Sequence, residues 1–269
     1  LYQRDDGEYI GGMFWDGRAT GWKLADPLAE QAQGPPLNPV EMNMPDKVAV
    51  VRAVQESDYV NLFEVVFGLG SLGDIEDAYG YISFAIAAYE RSNEIQQFNS
   101  RFDMGMLSDK EVQGFNIFEK KCVQCHTMNS DDDSPIFTDY SYHNIGVPIN
   151  PILGNNPVDL GLGGFLATVE DVMDAEMQKG KFKVPTLRNV ALSAPYGHNG
   201  YFATLHDMIR FKNSRDVSQW DLPEVNENIN DKDLGDLGMT EEEIDDLVAF
   251  LHTLTDNYEK VKHWALKDT

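Results

Sequence analysis

The 269 residues carry 45 acidic against 21 basic side chains, a formal net charge of −24. Such a field repels the phosphates of nucleic acid and suits a basic or neutral partner. No apolar run reaches the roughly 18 residues that a membrane-spanning helix needs. The chain is long enough to bury one large core or two smaller ones. It begins at Leu1 with no recognisable leader, so a processed or trimmed chain is expected.

Residues 1–45, with clustered Gly, Pro, Asn and Asp, read as irregular. Helices are expected over 46–56, 58–67 and about 75–94, the last built on the apolar stretch 80–90. Residues 100–106 (SRFDMGM) read as a connector. Ser108 and Glu111 then stand at capping-box spacing, and Val112, Phe115, Ile117 and Phe118 follow on one helical face. That helix runs into KKCVQCHTM, which holds both cysteines of the chain. Residues 128–183 read as loop, including NSDDDSP from 129 to 135. The glycines in this region are too scattered to form a phosphate-binding fingerprint. A short helix is expected over 204–213 and a polar loop over 214–238. Thr240 and Glu243 repeat the capping-box spacing before Ile244, Leu247, Val248, Leu251 and Leu254.

Cys122 and Cys125 could form a disulfide, a redox dithiol or part of a zinc site. With no further cysteine, a four-thiolate zinc site cannot be completed. A thioredoxin-like dithiol would want a βαβ setting, and the flanks here are helical. His126, directly after Cys125, turns the motif into C-x-x-C-H. Two thioethers then hold the porphyrin, and the adjacent imidazole takes the iron. A helix leading into this motif and a closing amphipathic helix can cross over one edge of a haem c. Covalent haem attachment implies a periplasmic or extracellular protein.

Several motifs occur in order: FWDGRA (14–19), EQAQGPPLNPVEM (30–42), AIAAYER (85–91), FEKKCVQCH (118–126), FTDYSYHNIGVP (137–148) and KFKVPTLRNVALSAPYGHNGYFATL (181–205). In these motifs, over nearly its whole length, the chain resembles the bacterial dihaem cytochrome c peroxidases and their relative that matures methylamine dehydrogenase. The resemblance implies a mostly α protein of two cytochrome c-like haem domains. The first, residues 1–100, would be incomplete at its N-terminus, with its own haem motif upstream of Leu1. The second, residues 101–269, would carry the His126 haem and the C-terminal tail.

The same resemblance implies that a small donor protein, a cytochrome c or cupredoxin, passes electrons through the His126 haem to a haem that reduces hydrogen peroxide. Gln31, Pro35 and Glu41 would line the peroxide face, where a carboxylate such as Glu41 can shuttle the proton that heterolysis requires. The bland reading leaves Glu41 and Gln31 as surface residues. Trp15 would lie between the haems or simply pack at a domain boundary. Arg18 would pair with Asp16 or with a propionate, and TGWKLA (20–25) lengthens the following loop. The sixth ligand of the His126 haem is left between Lys212, which stands where the family places Met or Tyr, and Met208, one turn earlier. His206 lies on a different face of the same helix. His198 would organise the surroundings of the second haem or serve as a structural residue, and His143 would bond a loop or propionate. Carbonyls of Ser193 and Pro195 would contribute to a calcium site, and a homodimer is expected. A single-haem electron carrier and a dihaem oxidase or maturase acting on a large substrate remain alternatives.

Overall fold

A computed structural model describes residues 1–128 and 134–257. Most of the expected NSDDDSP loop, at 129–133, and the tail 258–269 lie outside the described residues. The protein is mostly helical. Its only extended pieces among the described residues are the two-residue strands β1 (Tyr2–Gln3), β2 (Tyr9–Ile10), β3 (Tyr142–His143) and β4 (Phe182–Lys183).

The first compact unit comprises Leu1–Tyr2, Gly12–Phe14 and Arg18–Gln96. It holds α1 (Pro27–Ala32), α2 (Lys47–Gln55), α3 (Val60–Phe67) and α4 (Ile75–Glu90). Asp26, Asp46 and Asp74 start α1, α2 and α4, each accepting backbone N–H bonds of the first turn. The core joins Val50, Val51 and Val54 of α2 to Phe63 of α3 and to Ala78, Tyr79 and Ile82 of α4. Helix α1 falls where the sequence reads as irregular. Six residues are too few to display a helical period, and its signals are local: the Asp26 cap and Pro27 in the first turn.

The TGWKLA segment is pinned from one side chain. The Glu30 carboxylate accepts N–H bonds from Gly21 (2.9 Å), Lys23 (2.7 Å) and Leu24 (2.9 Å). Burial alone would raise the Glu30 pKa, but these donors outweigh it and hold the group below its ordinary value. Asp26 is itself clamped by both terminal nitrogens of Arg91, at 2.8 and 2.6 Å.

The second unit comprises Gln3–Gly11, Trp15–Gly17 and Gln97–Thr269. The expected first domain spans all of 1–100. Here two N-terminal pieces belong with the second unit, for reasons visible in their bonds: Tyr9 OH donates to Asp174 (2.9 Å), Gly11 N–H to Tyr140 carbonyl (3.2 Å), and Lys183 N–H to Trp15 carbonyl (2.8 Å).

This unit contains α5 (Asp109–Lys121), α6 (Gly161–Leu166), α7 (Leu205–Ser214) and α8 (Glu241–His252). Both expected capping boxes are formed, at Ser108/Glu111 and Thr240/Glu243. Helices α5 and α8 meet at Gly114. A Cβ there would lie 1.9 Å from the Asp246 carbonyl oxygen and 2.8 Å from Phe250 Cβ, so only glycine permits the approach. Around this contact Phe118, Phe137, Leu247, Phe250 and Leu254 are fully buried. Each such side chain contributes about 1.5–3 kcal/mol by leaving water.

Candidate haem-attachment site

Helix α5 ends at Lys121, and the motif turns out of its last turn. Cys122 N–H still donates to Phe118 carbonyl (2.8 Å), and His126 N–H donates to Cys122 carbonyl (3.0 Å). Cys122 and Cys125 are free thiols and partly buried. Burial pushes both up to about 11, so they are protonated at neutral pH.

The His126 side chain is buried, and its Nδ1 donates to the Phe137 carbonyl at 2.9 Å. The Pro185 carbonyl is a second backbone acceptor for the ring; with Nδ1 as the donor to Phe137, the lone pair lies on Nε2, the form that binds a metal. Burial, with the charge of Lys212 acting in the same direction, lowers His126 to about 3. The imidazole is therefore neutral.

Phe137 is held in an unusual backbone state. Its φ is +56°, the left-handed region that bulky residues rarely occupy. Its fully buried ring meets Phe102 and Phe118 edge-on, at 5.4 and 5.6 Å. Arg188 lies over the same ring at 5.4 Å, donates from Nε to the Pro135 carbonyl (2.8 Å), and grips Asp103 with both terminal nitrogens (2.7 and 2.8 Å). Ser100 adds a hydroxyl and an N–H bond to Asp103. Burial would raise Asp103, but Arg188 and Ser100 together hold it below its ordinary value. Asp103 and Arg188 did not emerge from the sequence as site residues. The available signal was an aspartate in the connector and an arginine inside the KFKVPTLRNV motif.

On α7, Leu205 and Ile209 face the buried cluster against which Cys122 and Val123 pack. Met208 instead packs with Val147, Phe202 and Phe211 in a separate cluster. Lys212 is partly buried, and its charge acts on Cys122, Cys125 and His126. Burial lowers it below its ordinary value. His206 lies 3.5–3.6 Å from Asp245 and Glu241 at the surface.

His143 Nδ1 accepts from Asn230 (3.3 Å), so its Nε2–H faces Ser141 Oγ (3.1 Å) and Cys125 Sγ (3.6 Å). His198 is hydrogen-bonded to Glu224 (2.8 Å) and stacked on Phe182 at 3.8 Å. Glu224 also accepts from Asn199 (2.8 Å), and it too was missed in the sequence. Ser193 and Pro195 are exposed, and the Ser193 hydroxyl donates to the Asn189 carbonyl. Trp15 is 57% exposed, while Arg18 lies 4.7 Å from the Phe14 ring centre.

Gln31, Pro35 and Glu41 belong to the first unit, Gln31 in the last turn of α1 and the other two in the turns that follow it. Gly34 N–H donates to Gln31 carbonyl (3.0 Å), Met42 N–H to Pro35 carbonyl (3.2 Å), and Glu41 N–H to Asn38 carbonyl (3.1 Å). Glu41 is exposed, and Gln31 and Pro35 are partly buried.

The donor set fits a haem c: two unbridged protonated thiols, and a neutral imidazole whose outer nitrogen is already engaged. Among the described residues no group of three or more His, Cys, Asp or Glu side chains stands where it could hold a metal ion by itself. Residues 5–111 match the profile of the di-haem cytochrome c peroxidase family, and residues 111–255 match that of cytochrome c. The chain is 37% identical to methylamine utilization protein MauG of Paracoccus denitrificans, over 95% of this chain and 70% of that one. The chain belongs to the di-haem cytochrome c peroxidase family. It is also 32% identical to the cytochrome c551 peroxidase of Nitrosomonas europaea, over 90% of this chain. It spans 61% of that relative's length. Among solved structures, a point variant of the diheme peroxidase BthA from Burkholderia thailandensis superposes with a TM-score of 0.80 at 31% identity, over 95% of this chain and 68% of that one. The mostly helical fold and the haem c oxidoreductase class implied by the motifs are those of this family.

Proposed function

We propose that the protein works as a peroxide-reducing dihaem oxidoreductase, and that the portion described here binds the haem through which electrons arrive. The observation carrying this reading is the His126 imidazole, neutral and fixed through Nδ1 beside two free thiols, in a chain of this family. Cys122 and Cys125 would hold a haem c by thioethers and His126 would take its iron, supplying a one-electron redox couple. The Phe137 carbonyl orients the imidazole, and Arg188 with Asp103 steadies the loop that carries that carbonyl. Trp15 and Arg18 would serve the route between haems.

Glu41 would take a proton from one peroxide oxygen and return it to the other, with Gln31 orienting the molecule and Pro35 stiffening the loop. The exposed carboxylate and its tight turn are compatible with that work. The donor is a small cytochrome c or cupredoxin, the setting periplasmic, and the assembly a homodimer with a calcium ion near Ser193 and Pro195. Among the described residues no helix is long and apolar enough to cross a membrane.

Likeness to a methylamine utilization protein favours a second reading, oxidation of a large substrate. The test is a haem count on the natural full-length protein, followed by peroxide consumption with a reduced small cytochrome. Two haems and donor-dependent turnover support the first reading. Two haems without donor-dependent peroxide turnover support the second, and a single haem on the natural protein overturns both.

A further inference from the structure

One side chain near the motif is not explained by packing. Lys212 lies in the last turn of α7, and its backbone carbonyl accepts from Gly235 N–H (2.7 Å). Among the described residues its amine has no hydrogen bond and no ion pair. An amine in its neutral form is a good lone-pair donor to a metal. The helix face explains where the amine goes. Leu205 and Ile209 occupy the face against the cluster that includes Cys122, and Lys212, three residues beyond Ile209, continues that face. Met208, one turn before Lys212, and Phe211 are instead taken up in the cluster with Val147, Phe202 and Trp220. The Met208 side chain is thus engaged in packing, whereas the Lys212 amine is not.

We propose that the Lys212 amine is the sixth ligand of the iron held by His126, giving a histidine–lysine pair in place of a histidine–methionine pair. The inference rests on the haem c reading above. Its consequence is electronic. A thioether favours the reduced iron and raises the potential, so a harder amine leaves this couple at a lower potential than a thioether would.

The test uses the natural protein and four chains expressed with covalent haem: wild type, Lys212→Met, Lys212→Ala and Met208→Leu. Retention of haem on a denaturing gel is checked first. Loss of covalent haem in wild type would sink the haem reading itself and is distinguishable from failure of the ligand assignment. Wild-type ferric protein is expected to be low-spin without the weak red-end band of a thioether–iron bond. Lys212→Met is expected to gain that band and to shift the midpoint potential upward. Lys212→Ala is expected to become high-spin, and Met208→Leu to leave the spectrum unchanged. Should a variant fail to fold, pulsed electron paramagnetic resonance on wild type grown with heavy-nitrogen lysine decides: a coupling from the lysine nitrogen is expected. A thioether band in wild type, an unchanged low-spin spectrum in Lys212→Ala, or no lysine coupling overturns the assignment.

Discussion

The Nδ1 of His126 donates to the carbonyl of Phe137 at 2.9 Å, across an eleven-residue separation in the chain. This bond couples the motif to a loop whose Phe137 backbone is in the left-handed region and whose Phe137 ring is fully buried. The orientation of the imidazole is therefore set in part by packing outside C-x-x-C-H itself, against Phe102 and Phe118.

Arg188 holds that loop without touching the imidazole. Arg188→Lys keeps the charge but cannot serve Asp103 through two nitrogens and Pro135 through a third. A stability loss of about 1.5–3 kcal/mol is expected for the lost charged hydrogen bonds. In the haem-loaded protein the midpoint potential is expected to shift while covalent haem is retained. Potentiometry together with thermal unfolding checks both.

The Asp103–Arg188 pair also sets an acid limit. Both side chains are nearly buried, at 8% and 7% exposure. Asp103→Asn leaves the guanidinium without its partner, and a loss of about 3–5 kcal/mol is expected at neutral pH. The Asp103 pKa in the folded state lies below 3.8. Its stabilisation is present in full above that ordinary value and is lost as pH falls through the folded value. Denaturant melts taken downward from neutral pH should therefore show wild type approaching the variant only in strong acid.

Gly114→Ala places a methyl group against backbone, with no flexible side chain to give way. Helices α5 and α8 must separate, and a cost of about 1–3 kcal/mol or more is expected. Thermal unfolding measures it. An unchanged melting temperature would mean that the two helices are not in contact at this point.

Glu41 is exposed, and its carboxylate has no bonding partner among the described residues. Glu41→Gln should leave the melting temperature unchanged. In the natural dihaem protein it should slow peroxide consumption by about 10²–10⁴, the range for loss of a general acid–base group. Equal rates would mean that Glu41 takes no part in the proton transfer.

Much of this was legible in the sequence because it is written locally. The capping boxes at Ser108 and Thr240, the apolar face of α8 and the C-x-x-C-H spacing each lie within a few residues. Helix α1 was not legible, since it is shorter than two turns and rests on one cap. The boundary at 100 missed the N-terminal pieces that bond to Asp174, Tyr140 and Lys183, partners more than a hundred residues away. Asp103 and Arg188 are separated by 85 residues. Nothing in their own surroundings distinguishes them from surface charges. The choice between Met208 and Lys212 likewise depends on which cluster takes up the Met208 side chain, and the residue spacing alone does not carry that.

The central claim is that Cys122, Cys125 and His126 hold a covalent haem c. Intact-mass measurement of the denatured chain, with a Cys122→Ala/Cys125→Ala double variant as control, tests it most directly. Wild type is expected to carry the mass of haem through denaturation and acid extraction, and the double variant to carry none. A wild-type chain that releases all its haem on extraction, or that shows a Cys122–Cys125 disulfide in its place, would contradict it.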